Sequence, residues 1–163
     1  MKQLVIILYL LLASCQKDGS FVKSELKPSK VDSIITDVQA EAYIHTADTN
    51  YKSFRIASFQ HRTTVDYQRY SDSISRKLAD KYKVTKGFYR EDFDNNGYND
   101  LLAIGGWGYE PGNPPIIGFS DALIVMNFGK DSVQISSLGN TLHYPLVPQV
   151  IHKDGQPMIA IHT

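Results

Sequence analysis

The sequence predicts an α+β fold, with two amphipathic helices packed on a mostly antiparallel sheet of about five to seven strands. Apolar residues recur at helical spacing over residues 30–44 and 65–83, and short apolar runs separated by Gly, Asn and Asp turns follow from residue 84 onward. The 163 residues, 42% of them hydrophobic and 21% charged, suffice for one domain with a modest core. We therefore expect a single globular domain, which we assign to residues 31–163.

The charge balance excludes one class of partner. The chain contains 17 Lys and Arg against 17 Asp and Glu. A protein without a basic field does not collect nucleic acid through its phosphates. We therefore expect no nucleic-acid partner.

The amino terminus has the composition of a secretory signal. Lys2 precedes a continuous apolar run over residues 4–12, which is too short to span a bilayer. No polar residue interrupts the run, which argues against a helix packed with one face on the domain. Leu12-Ala13-Ser14-Cys15 resembles the lipobox of bacterial lipoproteins. The resemblance implies that residues 1–14 are a signal peptide cut before Cys15, and that Cys15 is lipidated and attaches the protein to a membrane.

The residues after the cysteine favour a location outside the cell. Residues 16–20, Gln-Lys-Asp-Gly-Ser, are similar to the Gln-Lys-Asp-Asp type of export signal on surface lipoproteins of Bacteroidota, with Gly19 where a second acid is expected. This similarity implies an outer-membrane lipoprotein with a surface-exposed domain. We interpret residues 15–30 as the lipidated cysteine and a polar tether.

Two helices and one strand are predicted before residue 84. Ser29 is a candidate N-cap for the first helix, over about residues 30–44. Residues 51–59 alternate large apolar and polar side chains, which predicts a strand. The second helix is expected over about residues 65–83. The apolar stripes of the two helices are Val31, Ile34, Ile35, Val38 and Ala42, and Tyr67, Tyr70, Ile74, Leu78 and Tyr82.

The most informative stretch is the acidic loop of residues 92–100, which follows a strand predicted over residues 84–91. Side-chain oxygens fall at its positions 1, 3, 5 and 9, and a glycine occupies position 6. This spacing suits a hard cation, because alternate residues of a tight loop point inward and the glycine permits a sharp turn. The expected ligands are Asp92, Asp94, Asn96, the carbonyl of Tyr98, and Asp100.

Two known loops place acids at this spacing. An EF-hand requires a glutamate at position 12 and a following helix, but position 12 is Ala103 and residues 101–104 are an apolar, strand-like run. Residues 93–106 instead resemble the calcium-binding hairpin of VCBS and FG-GAP repeats. That resemblance implies calcium at the five residues named above. The chain has one good copy, so the four or more blades of a propeller are excluded.

A metal-free interpretation of the loop stays open at this point. Asn-Gly sequences favour tight turns, and Asp and Asn side chains often bond to their own backbone. Such turns are common without any ion. Carboxylates at this density would nevertheless repel one another, which favours a bound calcium.

The remaining sequence predicts a strand-rich carboxyl-terminal half. Strands are expected at residues 101–104, 122–128, 132–138, 147–152 and 156–162. The Pro- and Gly-rich residues 107–115 form a loop carrying Trp107 and Tyr109. These rings are either caps on the core or a contact surface for a glycan or a protein.

No catalytic constellation is recognisable. The chain has no Gly-x-Ser-x-Gly motif, its single cysteine is assigned to lipidation, and its five histidines show no metal-binding spacing. The first hypothesis is a surface-anchored, non-enzymatic module with a structural calcium, and an inhibitor of a host enzyme would share its features. The alternative is a hydrolase-like enzyme or enzyme subunit, with Glu91 or Asp121 as candidate acids.

Overall fold

A computed structural model describes residues 23–57, 73–107, 121–139 and 147–162. The predicted signal peptide, Cys15 and Tyr109 lie outside the described residues. Two helices and seven strands are described, with 3-10 turns at Lys30–Ser33 and Thr49–Tyr51. The elements are α1 (Asp37–Ala47), β1 (Phe54–Ile56), α2 (Ser73–Lys81), β2 (Phe88–Glu91), β3 (Asp100–Trp107), β4 (Asp121–Asn127), β5 (Val133–Ser137), β6 (Val147–Lys153) and β7 (Gln156–His162).

The described elements form antiparallel sheets of five and two strands with two helices, so the fold is rich in β-structure. Strand β3 is the centre of the larger sheet. One edge of β3 pairs with β4, and β5 follows β4. The other edge pairs first with β2 and then with β1, so β1 and β2 lie end to end along it. Strands β6 and β7 form the separate hairpin.

Both faces of the larger sheet are covered, which explains the continuous apolar run of β3. Successive side chains of a strand point to opposite faces. Leu101 and Ala103 pack against α1 in one cluster. Leu102 packs in another cluster against the β6–β7 hairpin, and Ile104 packs with α2 and the start of β6. A strand buried on both faces needs apolar residues at every position.

Gly105 allows β1 to lie against the end of β3. A Cβ atom built on Gly105 would lie 1.9 Å from the carbonyl oxygen of Arg55, well inside contact distance. The two backbones therefore approach more closely than any side chain permits. The sequence placed this residue only at the end of an apolar run.

The first helix differs from the prediction. Instead of one helix over residues 30–44, a 3-10 turn ends at Ser33 and α1 begins at Asp37. Thr36 and Gln39 form a capping box, with the Gln39 N–H donating to Thr36 Oγ1 over 3.2 Å. This box fixes the helix start at Asp37, after the apolar pair of residues 34 and 35. The buried face consequently consists of Ala40 and Ile44, and Val38 is 78% exposed.

The second helix is described only over Ser73–Lys81, and the rest of the prediction for residues 65–83 lies outside the described residues or in the following turn. Ala79 is fully buried, whereas Ile74, which the sequence placed in the core stripe, is 56% exposed. The predicted strands between residues 84 and 162 are present with boundaries shifted by a few residues, and β1 is shorter than predicted. In the described ranges no helix is both long enough and apolar enough to cross a membrane.

Candidate metal centre

The acidic loop connects β2 to β3, and its three aspartates converge. Asp92, Asp94 and Asp100 each offer a carboxylate oxygen, and these oxygens lie within 4.8 Å of one another. Asp100 is fully buried, Asp92 is 5% exposed, and Asp94 is exposed to solvent. The structure therefore brings together the three acids that the sequence grouped.

Hydrogen bonds within the loop hold the first acid in place. Oδ1 of Asp92 accepts from the Asn96 N–H over 3.0 Å, and Oδ2 accepts from the Gly97 N–H over 2.9 Å. Gly97 has a φ of +87°, and a Cβ atom there would lie 2.9 Å from the carbonyl oxygen of Glu25. Glycine at loop position 6 is therefore required both by the turn and by the neighbouring chain.

Asp100 is the most perturbed group of the site. Its Oδ2 accepts from the Phe93 N–H over 2.9 Å and its Oδ1 from the Asn127 N–H over 2.7 Å. Burial is the largest cause that raises the pKa of Asp100 to about 6. The negative charges of Asp94 and Asp92 contribute to the rise, and the two backbone donors oppose it. Burial also raises the pKa of Asp94, with a smaller contribution from Asp92.

The charge of this cluster is not balanced by a neighbouring side chain. Within the four described ranges, no lysine, arginine or histidine forms an ion pair with Asp92, Asp94 or Asp100. The candidate metal-ligand atoms are carboxylate oxygens, and the described cluster contains no imidazole or thiolate. Such a set suits calcium or magnesium and disfavours transition metals. The residues present therefore fit a hard divalent cation.

Asn96 and Tyr98, the other two expected ligands, occupy the same loop but make different contacts. Asn96 Nδ2 donates to Asp94 Oδ2 over 3.0 Å, and Asn96 Oδ1 accepts from the Tyr98 N–H over 2.8 Å. The Tyr98 ring lies under the Lys27 ammonium, 5.1 Å from ring centroid to nitrogen. Asn96 is thus turned with its nitrogen toward the acidic cluster.

The segment before α1 is fastened to the loop, and we call residues 23–32 the N-terminal strap. The Ser24 N–H donates to Asn95 Oδ1 over 2.8 Å, and the Ser24 hydroxyl donates to the Asn95 carbonyl over 2.7 Å. The Lys27 N–H donates to the Gly97 carbonyl over 2.7 Å. The last part of the predicted tether, from Ser24 onward, is therefore attached to the domain.

Asn127 is a residue of this site that the sequence analysis missed. Its Nδ2 donates to the Asn99 carbonyl over 3.0 Å, and its carbonyl accepts from Asn96 Nδ2 over 2.9 Å. Its Oδ1 accepts from the Gly129 N–H over 3.0 Å. The sequence feature that could have identified Asn127 is its amide side chain near the end of the apolar run over residues 122–128.

Trp107 is held at the opposite end of the sheet. Its Nε1–H donates to Asp121 Oδ2 over 2.8 Å, and its ring lies 5.8 Å from Tyr51 and 5.6 Å from Phe54 between centroids. The side chain is 41% exposed. Asp121 also accepts from the Ser137 hydroxyl, over 2.7 Å at Oδ2. Trp107 therefore presents a ring in a fixed orientation.

A cavity of about 470 Å³ lies beside β2. Residues 35–37 and 85–91 line it, and these include two carboxylates, Asp37 and Glu91. Glu91 Oε1 lies 3.5 Å from His152 Nε2, while Asp121 lies elsewhere, in the Trp107 cluster. Burial raises the pKa of Asp37, with a smaller contribution from the charge of Glu41.

No protein-family description, no curated protein and no solved structure matches this chain.

Proposed function

We propose that this chain is a lipid-anchored protein of the outer membrane whose domain binds one calcium ion and contacts a glycan or a protein. The observation that carries the cation site is the convergence of the Asp92, Asp94 and Asp100 oxygens within 4.8 Å. Three carboxylates at this distance repel one another, and a bound divalent ion offsets the repulsion. Calcium is favoured over magnesium because it accepts more protein oxygens and a less regular geometry.

The role of the ion in this proposal is structural. Asp92 follows the end of β2 and Asp100 begins β3, so one ion would join two neighbouring strands. The same loop is bonded to the N-terminal strap through Asn95 and Gly97, and to the end of β4 through Asn127. The ion would therefore stabilise a junction of several segments.

Calcium titration of the metal-free protein tests the site. Extracellular modules bind calcium with Kd values of about 10⁻⁴–10⁻³ M, so millimolar calcium is expected to add about 1 kcal/mol to the free energy of unfolding. That corresponds to a rise in Tm of about 3–5 °C. Asp94→Asn should remove the response, whereas Asp154→Asn, the same change in the β6–β7 turn, should keep it. Superimposed melting curves with calcium and with chelator would contradict the proposal.

The lipid anchor is supported by the lipobox resemblance at residues 12–15. Expression in a bacterium fed with labelled fatty acid should label the protein, and Cys15→Ser should abolish the label. Protease treatment of intact cells then distinguishes the outer face from the periplasmic face, because only a surface-exposed domain is digested. Labelling of the serine variant would contradict lipidation at this cysteine.

Trp107 and Tyr109 are proposed as the contact surface for a glycan or protein partner. The support is the partial exposure of Trp107 and the bond that fixes its ring to Asp121. A flat, oriented indole suits the apolar face of a sugar. A glycan array should therefore give ligands whose binding is lost in Trp107→Ala and kept in Phe128→Ala, a change at an aromatic residue that is 50% exposed. Equal losses in the two variants would contradict the assignment.

An enzymatic function is the second candidate, favoured by Glu91, which lines the cavity 3.5 Å from His152. Such a pair can exchange a proton with a substrate. Asp121, by contrast, accepts hydrogen bonds from Trp107, Ser137 and Ala122, which supports a structural role. Hydrolysis in a panel of chromogenic glycosides and esters that disappears in Glu91→Gln would favour the enzyme. Retained hydrolysis in that variant would exclude this acid.

We also infer that two amphipathic helices support this domain, with α2 beginning at about residue 65 and ending at Lys81. The support is that Ala40 and Ile44 of α1 pack on one side of the sheet, while Ala79 of α2 belongs to the cluster on the other side. Amide exchange over residues 65–81 should show continuous protection. Unprotected amides before residue 73 would contradict the longer helix.

A further inference from the structure

One edge of the larger sheet is divided into a covered half and an open half. Strands β1 and β2 lie end to end along β3, so their outer sides form a single edge. Sheet edges expose N–H and C=O groups that attract further strands, and folded proteins usually cover or blunt them. The two halves of this edge differ in how those groups are satisfied.

The β1 half is covered by side chains of α1. The Ile56 N–H donates to Glu41 Oε2 over 3.1 Å. The Phe54 carbonyl accepts a hydrogen bond from His45 Nε2 over 2.9 Å. Both outward-facing backbone positions of β1 are thus bonded to the helix.

The β2 half has no such cover among the described residues. The Gly87 carbonyl accepts a hydrogen bond from the Ile104 N–H over 2.8 Å. This bond identifies which residues of β2 direct their backbone groups toward β3. In an antiparallel pair, alternate residues bond to the partner strand, so Tyr89 and Glu91 face β3 while the backbone groups of Phe88 and Arg90 face outward. In the part of the chain that the structure describes, no hydrogen bond reaches those outward groups of Phe88 or Arg90.

A groove runs along this open half. The cavity of about 470 Å³ is bounded on one side by β2 and on the other by residues 35–37. Its volume falls within the range of ligand pockets, about 300–1,000 Å³. Ile35, one of the residues that line the cavity, is 72% exposed. The groove therefore combines unpaired backbone groups with apolar and charged side chains.

We propose that this groove, the β2 groove, binds an extended peptide segment of another protein, which adds a strand to the outer edge of β2. Backbone groups of Phe88 and Arg90 would supply the hydrogen bonds, as in other cases of strand addition. Residues 35–37 line the cavity together with β2, which favours a single extended chain over a second folded sheet as the occupant. This proposal goes beyond the cation site and does not depend on it.

The side chains of β2 predict the chemistry of the peptide. Phe88 and Arg90 lie on one face of β2, two residues apart, and neighbouring strands place their side chains directly opposite one another. Arg90 donates one bond to the Asp32 carbonyl and retains further guanidinium donors. The partner segment should therefore carry an apolar residue and an acidic residue two positions apart, the acid opposite Arg90.

The test uses the isotope-labelled full chain and a seven-residue peptide of threonines with aspartate at the third position and valine at the fifth. In a peptide that pairs antiparallel to β2, this order places aspartate opposite Arg90 and valine opposite Phe88. Binding should protect the Phe88 and Arg90 amides from exchange and shift their resonances. A peptide N-methylated at alternate residues on its pairing edge should bind about tenfold more weakly, because it lacks the backbone donors. A peptide with lysine in place of aspartate should also bind more weakly.

Protein variants separate backbone pairing from charge. Arg90→Ala should lose the preference for aspartate over lysine and keep backbone binding. Arg90→Pro should lose binding and stay folded, because the missing N–H does not serve the β2–β3 ladder. Lys153→Ala, which removes an exposed cation in the β6–β7 hairpin, should leave binding unchanged.

Several results would overturn the proposal. Equal binding of the N-methylated peptide, no binding at millimolar peptide, or resonance shifts centred on Trp107 would each exclude strand addition at β2. Protection of the Phe88 and Arg90 amides in the free protein would also overturn it. Protection independent of concentration would assign the edge to a segment of the same chain, and protection that rises with concentration would assign it to a second copy.

Discussion

The main-chain N–H of Asn127 donates to Oδ1 of Asp100 over 2.7 Å, and this bond joins the end of β4 to the acidic loop at the start of β3. Both residues are buried, Asp100 fully and Asn127 at 3% exposure. The side chain of Asn127 bonds in addition to the Asn99 carbonyl and the Gly129 N–H. The geometry of the candidate metal centre therefore depends on a residue 27 positions away in the chain.

Asn127→Ala should destabilise the protein by about 2 kcal/mol, because two buried groups lose their hydrogen-bond partners. Urea unfolding of the metal-free protein measures this change. The backbone bond from residue 127 to Asp100 is retained, so the calcium response should decrease without disappearing. Gln134→Ala on neighbouring β5, an exposed position, should stay within about 0.5 kcal/mol of the parent. A similar loss in both variants would contradict a special role for Asn127.

The pKa of Asp100 predicts how the stability of the metal-free protein depends on pH. The pKa is raised from 3.8 to about 6 in the folded protein, so between these values the folded state binds more protons than the unfolded state. The free energy of unfolding should therefore fall as pH rises from about 4 to about 6, by on the order of 3 kcal/mol from this group. Above about pH 6 its contribution should be constant.

Urea unfolding in chelator at several pH values measures this dependence. Millimolar calcium should offset about 1 kcal/mol of the loss at pH 7 and have little effect near pH 4, because protons compete for the same oxygens. Asp154→Asn should show the same pH profile as the parent. A stability that rises steadily between pH 4 and 6 in chelator would contradict the assignment of Asp100 as the dominant titrating group.

The N-terminal strap should be protected when the loop is ordered. Ser24 and Lys27 are bonded to Asn95 and Gly97, so loosening of the loop in chelator should release this segment. Trypsin should then cut faster after Lys23, which is measured by mass spectrometry of the fragments. Lys27 is a poor second site because proline follows it.

The cut after Lys153 is the internal control, since Lys153 pairs with Gln156 beside the turn of the β6–β7 hairpin, in a different sheet from the strands that flank the loop. Ser24→Ala should raise the rate of the cut after Lys23 even with calcium present, because it removes the hydroxyl bond to the Asn95 carbonyl. Equal changes at both cut sites would indicate global destabilisation and contradict a local release.

The orientation of Trp107 should depend on Asp121. The Asp121 carboxylate accepts hydrogen bonds from the Trp107 indole N–H and from the Ala122 backbone N–H. In Asp121→Asn an amide nitrogen replaces one of the two accepting oxygens, so one of these hydrogen bonds is lost. The chain has one tryptophan, so its fluorescence reports this ring alone. Emission should shift to the red and quenching by acrylamide should increase. Asp131→Asn, at an exposed ion pair with Lys30, should change neither, and an unchanged spectrum in Asp121→Asn would contradict the proposed coupling.

Features that depend on short-range spacing were predictable from the sequence. Asp92, Asp94 and Asp100 could be grouped because a tight loop of nine residues brings alternate side chains to one side. The hairpin over residues 147–162 could be predicted from two alternating runs around Asp154 and Gly155. The resemblance of residues 12–15 to a lipobox is also contiguous in sequence, so the prediction that Cys15 is lipidated requires no tertiary contact.

Contacts between segments that are distant in sequence were not predictable and follow from the packing of the chain. Ser24 contacts Asn95 across 71 positions of sequence, and no local pattern encodes that pairing. Helix α1 begins after residues 34 and 35, although the apolar periodicity includes them, because its capping box lies at Thr36. Coverage of β1 by Glu41 and His45 likewise follows from the position of α1 against the sheet. Such contacts depend on the free energy of the whole packed chain, whereas spacing along a loop or a strand depends only on backbone geometry.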